Sequence, residues 1–487
     1  MKRAPRADRS RRVASATSVP AGFALLGQGV VVAILAACSP GPSELSRPNV
    51  LLISVDTLRA DHLGCYGYER DTSPFLDSLA AQSVVFDSVS AQSSWTLTSH
   101  MSLFTSRYPH NHGIEGLGLA LSETVPTLAQ VLKQEGYTTL GFVTWVFLAE
   151  RFGFGRGYDL YRQYTPPQGK LGPEHGEYVM RADEVVDRIT KTLGDGVDAP
   201  FFLFVHLFDP HLDYQPPLEH ARRFDPQATG DFTEGRHATL VPYITGVQPE
   251  PQRIAPEMLE RVVALYDGEV HFTDTQLARL FDVLEAKGML DDTLVVFTSD
   301  HGEELDDHGS MEGHGWTLYE EVLRVPLIVK FPAGQHAGAR VEALAESIDI
   351  APTILEVLGI EAPESFDGKS LIPLVEGEVP TRQLSFSSSQ RFISRWSVRT
   401  EKHKLIRSKT KSAHLPYHPP EYELFDLSVD PTEQMDLYSS DPDTARKLRL
   451  FLDAWIETRR KDVSSRKIQL DDRQQERLRA LGYASDE

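Results

Sequence analysis

Three aspartates of this sequence each follow a short, largely apolar run. Asp56 follows NVLLISV, Asp209 follows FFLFVHLF and Asp300 follows TLVVFTS. Runs of this length are typical of strands that are buried on both faces. In open α/β sheets, ligands bind beyond the carboxyl ends of the strands. We therefore expect these three carboxylates to converge on one site.

The segments between these runs have helical spacing. The pattern predicts helices over about 73–82, 127–136, 255–287 and 349–359, and a further strand over 325–331. Strands joined by helices imply a mostly parallel sheet that is covered on both faces. The predicted fold class is therefore α/β, with a large mixed, mostly parallel sheet sandwiched by helices.

Other parts of the chain differ in composition. Residues 140–185 and 210–255 are rich in Pro, Gly and aromatic residues, which predicts long loops that shape a substrate pocket. From residue 383 the sequence alternates like exposed antiparallel strands and continues into an amphipathic helical pattern. We predict a catalytic domain over 48–382 and a smaller C-terminal α+β subdomain over 383–487.

The first 37 residues have the features of an export signal. Six basic residues precede an apolar run from about Ala21 to Ala37, which is too short for a stable membrane span. The run ends in Leu-Ala-Ala-Cys38, which resembles a bacterial lipobox, where the cysteine becomes the lipidated first residue. Cleavage at an A-x-A-like site without lipid is the alternative. We predict a signal peptide over 1–37, a tether over 38–47, and a lipoprotein anchored in the bacterial cell envelope that faces the periplasm or the exterior.

The composition limits the partners of the chain. Its 487 residues are 41% hydrophobic and 24% charged, which is ordinary for a globular protein. A formal net charge of −21 makes nucleic acid an unlikely ligand, because its phosphates repel an acidic surface. Cys38 and Cys65 are the two cysteines, so acylation of Cys38 would exclude an intramolecular disulfide.

Four separated segments carry a family resemblance. They are PNVLLISVDTLRADHLGCYGY, SSWTLTSHMSLFTSRYPHNHG, SDHGEELDDHGSMEGHGWTLYEEVLRVPLIVKFP and ELFDLSVDPTEQMDL. In this order they resemble the sulfatase family of the alkaline-phosphatase-like superfamily, over nearly all of residues 48–440. The resemblance implies a hydrolase that acts on ester bonds with the help of divalent metal ions.

The resemblance places a threonine at the nucleophile position. The family motif begins with a Cys or Ser that is oxidised to formylglycine, and it corresponds to residues 96–100, TLTSH. Thr96 cannot give the formylglycine aldehyde, but its hydroxyl can attack phosphorus when a metal lowers its pKa. Branches that resemble nucleotide pyrophosphatases and phosphoethanolamine transferases use threonine there. We also expect a helix to start near Thr98 or Ser99, with its first N–H groups forming an anion site.

Departures from the sulfatase pattern favour two metal ions. Thr57, His301 and His314 stand where sulfatases have a second aspartate, an amide ligand and a sulfate-gripping lysine. Nitrogen ligands suit zinc-like ions better than calcium, so zinc or manganese is expected, with calcium as the alternative for a conventional sulfatase site. The resemblance implies one metal at Asp56, Thr96, Asp300 and His301, and a second at Asp209, Asp213 and His314.

Four residues are predicted to contact the substrate. The resemblance implies such a contact for His211, which also competes with Asp213 as a metal ligand. Arg59 and Arg107 are candidate phosphate contacts, although either can instead hold loops by ion pairing. His100, which stands at the arginine position of the nucleophile motif, completes the set.

The favoured function is hydrolysis of a phosphate mono- or diester through a phosphothreonine at Thr96. The expected substrate is a small anionic ester, a glycan or a lipid head group. One alternative is a sulfuric-ester hydrolase without formylglycine. The other is a non-catalytic envelope protein that binds an anion or glycan, which the retained metal-ligand set disfavours.

A substitution at Cys38 tests the lipid anchor. Cys38→Ala should move the protein from the membrane fraction to the soluble fraction, because acyl chains supply the membrane affinity of a lipoprotein. Fractionation and immunoblotting measure this, with Cys65→Ala as the control. A wild-type protein that is already fully soluble would contradict the prediction.

Overall fold

The computed structural model describes residues 47–164, 180–244, 252–311, 314–380, 382–410, 418–458 and 465–468. The predicted signal peptide and the lipidation at Cys38 lie outside the described residues, as does the predicted tether except for Arg47. Within the described chain, every helix is too short or too polar to cross a bilayer.

Sixteen strands occur in the described chain. They are β1 Asn49–Val55, β2 Val84–Phe86, β3 Val89–Ser90, β4 Leu119–Ala120, β5 Thr138–Val143, β6 Leu160–Gln163, β7 Phe201–Leu207, β8 Thr293–Ser299, β9 Leu327–Lys330, β10 Arg340–Val341, β11 Ala345–Glu346, β12 Ser385–Ser389, β13 Ser394–Arg399, β14 His403–Lys409, β15 Tyr422–Asp426 and β16 Arg466–Lys467.

Twelve α-helices occur in the same residues. They are α1 Pro74–Ala81, α2 Thr96–Thr105, α3 Pro109–His112, α4 Leu128–Gln134, α5 Ala182–Gly194, α6 Leu218–Phe224, α7 His237–Leu240, α8 Pro256–Ala286, α9 Glu320–Leu323, α10 Ile350–Val357, α11 Ile372–Val375 and α12 Pro442–Glu457.

Eight strands form the central sheet, in the order β10-β2-β9-β8-β1-β7-β5-β6. β9 pairs antiparallel with β8 and β2, and the other pairs are parallel. Helices cover both faces: α2, α4 and α10 on one, and α1, α5 and α8 on the other. This architecture confirms the predicted fold class.

The central strands are buried on both faces, which explains their apolar sequences. In β1, Val50 and Leu52 belong to the apolar cluster on one face, and Leu51, Ile53 and Val55 belong to the cluster on the other. Each such side chain contributes about 1.5–3 kcal/mol by leaving water. A strand that packs against apolar residues on both faces of the sheet therefore does not alternate between polar and apolar residues for most of its length.

The predicted elements agree with the structure apart from two corrections. The helices predicted over 73–82, 127–136, 255–287 and 349–359 are α1, α4, α8 and α10. The helix expected near Thr98 or Ser99 instead begins at Thr96, because the chain is extended only as far as Trp95. The segments predicted as long loops also contain regular elements, namely β5, β6, part of α5, α6 and α7. The edge strand β6 is half-exposed, so its sequence lacks the pattern of a buried strand.

The C-terminal region has its own sheet. β12 to β15 form a four-stranded antiparallel sheet, and α12 packs on it through Leu448, Leu452 and Trp455. The predicted α+β subdomain is therefore confirmed in kind. The described residues belong to one compact unit, so the boundary between residues 382 and 383 stays a prediction.

A charged network joins the segment after β8 to this C-terminal region. His308 Nδ1 lies 2.8 Å from Glu321 Oε1, and its Nε2 lies 3.1 Å from the Glu433 carbonyl oxygen. Lys404 Nζ on β14 lies 3.0 Å from Glu320 Oε1. Burial opposes charging of His308, but the contact with Glu321 outweighs it and raises the pKa of His308 to about 9. Both ring nitrogens therefore act as donors.

This contact predicts a pH dependence of stability. Because the pKa of His308 rises from 6.5 to about 9 on folding, its stabilising effect is full below pH 6.5 and is lost as the pH rises through about 9. His308→Gln should lower the melting temperature clearly at pH 6 and much less at pH 10. Thermal unfolding across this range measures the difference, with the exposed His418→Gln as control. A deficit that is equal at both pH values would contradict the prediction.

Candidate active site

Two of the three strand-end aspartates meet at the centre of the sheet. Asp56 follows β1 and Asp300 follows β8, and these neighbouring strands are paired so that Val55 lies beside Ser299. Both carboxylates are buried. Ligand atoms of Asp56, Asp300 and His301 all lie within 4.8 Å of one another. The expected convergence therefore holds for these two aspartates and includes His301.

The hydroxyl of Thr96 lies beside this cluster. Its Oγ1 is 3.5 Å from Asp56 Oδ1 and 3.2 Å from His301 Nε2. Thr96 is the first residue of α2, and no side chain caps the start of this helix. The first N–H groups of a helix lack intrahelical partners and favour anions. The hydroxyl and an anion-binding helix terminus thus occur at the same point.

The cluster fits a divalent metal ion. Asp56 Oδ2 and both carboxylate oxygens of Asp300 are buried without a hydrogen-bond partner. Buried carboxylate oxygens are costly unless a cation or donor satisfies them. His301 Nδ1 donates to the Gly302 carbonyl oxygen over 2.8 Å, which leaves Nε2 for coordination. The residues present therefore match a metal site.

The pKa values agree with that interpretation. Burial, together with the nearby Asp300 and Glu303 carboxylates, raises the pKa of Asp56 well above its usual range. Burial lowers the pKa of His301 to about 4, although Asp300 opposes this shift. The two carboxylates repel each other, and the imidazole of His301 is neutral. A bound cation accommodates both features.

The second predicted metal-ligand set is not assembled. Asp209 Oδ2 accepts a hydrogen bond from the N–H of Ala182, the first residue of α5, over 2.8 Å. Asp213 Oδ1 accepts one from the N–H of His237, the first residue of α7, over 2.6 Å. Both carboxylates thus bind helix N-termini, where negative charge is favourable. The described residues do not bring these two carboxylates into a ligand cluster with His314, and a second metal at this set stays a prediction.

A different group of potential ligands occurs elsewhere in the described residues, formed by Glu304, His308 and Glu321. Both ring nitrogens of His308 already face oxygen acceptors in the network described above. This group is therefore an ion-pair network of the C-terminal interface.

Two further histidines stand next to the metal-ligand cluster. The ring centroid of His314 lies 5.1 Å from that of His301, and His314 Nδ1 is 2.8 Å from Glu303 Oε1. The His211 ring lies 5.0 Å from the His314 ring, and its Nδ1 donates to the Leu212 carbonyl oxygen over 2.8 Å. These contacts fix both ring orientations beside the site. The substrate contact assigned to His211 stays a prediction.

Both arginines predicted to contact substrate are placed otherwise. The Arg59 guanidinium makes a bidentate contact with Asp61 and lies 2.6 Å from Asp307 Oδ2. It therefore holds loops, which was the alternative interpretation. Arg107 lies beyond the C-terminal end of α2, which puts it about 15 Å from Thr96 along a helix of ten residues.

His100 lies behind the cluster and is fully buried. Its Nε2 is 3.0 Å from Ser54 Oγ, and its Nδ1 is 3.0 Å from the Thr96 carbonyl oxygen and 3.3 Å from Asp300 Oδ2. The side chain thus supports Asp300 and the start of α2. Its predicted role in substrate binding is corrected to a supporting one.

Sequence reasoning missed two features of the site. His206 on β7 is buried with its Nε2 3.4 Å from Asp56 Oδ2. The available signal was a single histidine in a strand of otherwise apolar residues. Thr57 has a positive φ of 54°, which is rare and strained for a β-branched residue, and its carbonyl oxygen accepts from Tyr266 Oη at 2.8 Å.

The fold and this cluster define an α/β protein with carboxylate and imidazole groups at the carboxyl edge of its sheet. The Sulfatase family profile matches residues 48–360, and the profile of the N-sulphoglucosamine sulphohydrolase C-terminal region matches residues 312–461. The chain belongs to the sulfatase family. The predicted family and the predicted hydrolysis of an ester bond are thereby confirmed.

Characterised relatives include enzymes with different names. N-acetylglucosamine-6-O-sulfatase of Bacteroides thetaiotaomicron is 25% identical over 500 residues, covering 88% of this chain and 89% of the relative. The multifunctional alkaline phosphatase superfamily protein PehA of Trinickia caryophylli is 27% identical over 487 residues. The aligned region covers 83% of this chain and 94% of PehA. Sulfatases and a phosphatase-like protein are thus similar to this chain at comparable identity.

Solved structures share the fold. A protein in complex with its substrate D-glucosamine-2-N,6-O-disulfate has a TM-score of 0.69 at 22% identity, covering 84% of this chain and 98% of that protein. The phosphonate monoester hydrolase of Agrobacterium radiobacter has a TM-score of 0.67 at 23% identity, covering 88% and 99%. At these identities the similarity establishes the fold alone.

The geometry predicts which aspartates bind metal. Asp300→Asn should weaken divalent metal binding by about 100-fold or more, because even groups behind metal ligands typically contribute 10- to 100-fold. Asp209→Asn should leave metal binding unchanged, because its amide oxygen can still accept from the Ala182 N–H. Elemental analysis after dialysis measures both, with circular dichroism to check the fold. Equal metal loss in the two variants would restore the second predicted ligand set.

Proposed function

We propose that this chain is a metal-dependent hydrolase that cleaves a phosphate mono- or diester with Thr96 as nucleophile. The observation that carries this proposal is the position of the Thr96 hydroxyl, 3.5 Å from Asp56 Oδ1 and at the start of α2. An unmodified hydroxyl can attack phosphorus directly, and water can then attack the phosphorus of the resulting ester and displace the threonine oxygen. PehA and the phosphonate monoester hydrolase, as named relatives, support chemistry at phosphorus.

Asp56, Asp300 and His301 would hold one divalent metal, with Thr96 Oγ1 completing the set. When bound, such an ion lowers the pKa of a hydroxyl and neutralises charge on the phosphoryl oxygens. The ligand types suit zinc or manganese. The second ion predicted at Asp209, Asp213 and His314 stays a prediction. One carboxylate oxygen of each aspartate accepts a backbone N–H at the start of a helix.

The reaction then follows from the remaining groups. Thr96 Oγ1 gives up its proton to solvent water and bonds to phosphorus while the bond to the leaving oxygen breaks. The N–H groups at the start of α2 stabilise charge on the phosphoryl oxygens. We assign proton donation to the leaving oxygen to His314, whose ring is oriented by the 2.8 Å contact of its Nδ1 with Glu303 Oε1. Water attack on the phosphothreonine then releases phosphate, if the substrate is a monoester, or a phosphate monoester, if it is a diester, and regenerates the hydroxyl.

A sulfuric-ester hydrolase without formylglycine is the second candidate. The named sulfatases among the relatives, including one for N-acetylglucosamine 6-O-sulfate, favour it and favour an anionic glycan as substrate. The two candidates share the metal site and differ in the central atom that Thr96 attacks.

We also propose that the protein works outside the cytoplasm, anchored through a lipid on Cys38. The basic and apolar N-terminal sequence that ends in Leu-Ala-Ala-Cys38 supports this location. An envelope enzyme would meet glycan and lipid head-group esters there.

Substitution of Thr96 tests the nucleophile. Thr96→Ala should lower turnover by on the order of 1,000-fold or more, because the attacking oxygen is lost. Thr96→Ser should keep part of the activity, since the hydroxyl remains and only a methyl group that restricts its rotamer is removed. The assay compares aryl phosphate mono- and diesters, an aryl phosphonate monoester and an aryl sulfate.

The matched control and a direct readout complete this test. Thr98→Ala removes a hydroxyl from the same helix that donates to the Ile114 carbonyl oxygen and should leave turnover nearly unchanged. Rapid acid quench and mass spectrometry should find phosphate on the Thr96 peptide. A Thr96→Ala variant as active as wild type would overturn the covalent mechanism.

A further inference from the structure

β7 carries one polar side chain in an otherwise apolar strand. His206 is paired in register with Ser54 of β1, so both side chains extend from the same face of the sheet. The apolar residues of that face include Leu52 and Phe204. His206 is fully buried there. A buried polar ring costs stability unless its nitrogens have hydrogen-bond partners, so the contacts of both nitrogens are of interest.

One ring nitrogen of His206 is fixed by the neighbouring strand segment. Nδ1 lies 2.9 Å from Oγ1 of Thr144, a buried residue that follows β5. This contact sets the orientation of the ring about its χ2 angle. The other nitrogen, Nε2, therefore has one direction available.

That direction leads to a metal ligand. His206 Nε2 lies 3.4 Å from Asp56 Oδ2, and each of these two buried atoms is without a hydrogen-bond partner in the described structure. The other carboxylate oxygen, Oδ1, faces Thr96 Oγ1 at 3.5 Å and His301 Nε2 at 3.8 Å. The carboxylate of Asp56 thus has one oxygen toward the reacting hydroxyl and one toward His206.

We propose that His206 is a positioning residue for metal binding, which holds Asp56 Oδ2 through its Nε2–H and so commits Oδ1 to the metal. This inference rests on the metal site of the proposed function and is independent of which ester is cleaved. A carboxylate held by one oxygen presents the other in a single orientation, which favours monodentate coordination.

A second imidazole stands beside the other carboxylate, although its Nδ1 donates to the Thr96 carbonyl oxygen. His100 Nδ1 lies 3.3 Å from Asp300 Oδ2, and the rings of His100 and His206 meet edge to face with centroids 5.2 Å apart. Each metal-binding aspartate therefore has an imidazole behind it. Because the two rings touch, a shift of one would displace the other and loosen both ligands.

Substitution of His206 tests the proposal through metal affinity, measured with a chromophoric chelator and Zn²⁺ or Mn²⁺ in the absence of substrate. His206→Leu should weaken metal binding by about 10- to 100-fold, the range for groups that orient metal ligands. His206→Gln should recover most of this loss, because its amide nitrogen can donate near the position of Nε2. Thr144→Val, which frees the ring without removing it, should fall between these two variants.

His112→Leu is the matched control, since His112 is equally buried and contacts Ser102 Oγ in the second half of α2 and the Ile114 N–H beyond α3. It should lower stability without changing metal affinity.

X-ray absorption of the zinc form should count one imidazole in the wild type, that of His301.

Two results would overturn the proposal. One is a His206→Leu protein that binds metal as tightly as wild type. The other is a count of two imidazoles together with no recovery in His206→Gln, which would make His206 a direct ligand. If His206→Leu does not fold, His206→Gln and Thr144→Val still decide the matter. Failure of the proposed function would appear instead in Thr96→Ala, where turnover would persist with metal affinity unaffected.

Discussion

The structure is organised around carboxylate oxygens that are buried at the adjacent ends of β1 and β8 without hydrogen-bond partners. Such an arrangement is unfavourable in the protein alone, because desolvation and mutual repulsion both act against it. It persists because the two strands are locked by apolar residues on both faces of the sheet. The packing of the core thus maintains a cluster that is complete only with a cation.

The groups around these carboxylates form two layers with different tasks. Thr96, His301 and the start of α2 lie on the reactive side, whereas His100 and His206 lie behind the carboxylates. The layers are joined at Asp56, which touches both. A protein bound to a disulfated glucosamine and a phosphonate monoester hydrolase both share this fold, so the fold alone does not decide between sulfate and phosphorus esters.

The sequence predicted those parts of the site that depend on local patterns. Asp56 and Asp300 follow recognisable buried strands, and His301 is adjacent in sequence. Asp209 follows a similar strand, but its carboxylate accepts a hydrogen bond from the N-terminus of α5. The placement of α5 depends on tertiary packing, so a strand pattern alone does not distinguish a ligand from a helix cap.

Long-range pairing explains the other differences. Arg59 is bound by Asp307, a residue far away in the sequence. His206 lies next to Asp56 only because β7 pairs with β1. The overall α/β architecture needs less information, because alternating strands and helices restrict the topology strongly. Fold class therefore follows from periodicity, while side-chain roles follow from contacts between distant segments.

The pairing of β1 with β8 also has a consequence for assembly of the enzyme. The first ligand strand is near the start of the described chain, and the second is made much later, after β7 and α8. An unfolded or partly folded chain therefore has no site, and the ion binds only the native state. Such binding adds about 2.7 kcal/mol to folding stability when the free ion is at 100 times its dissociation constant. The metals available in the compartment where the central sheet folds therefore determine which ion the enzyme acquires.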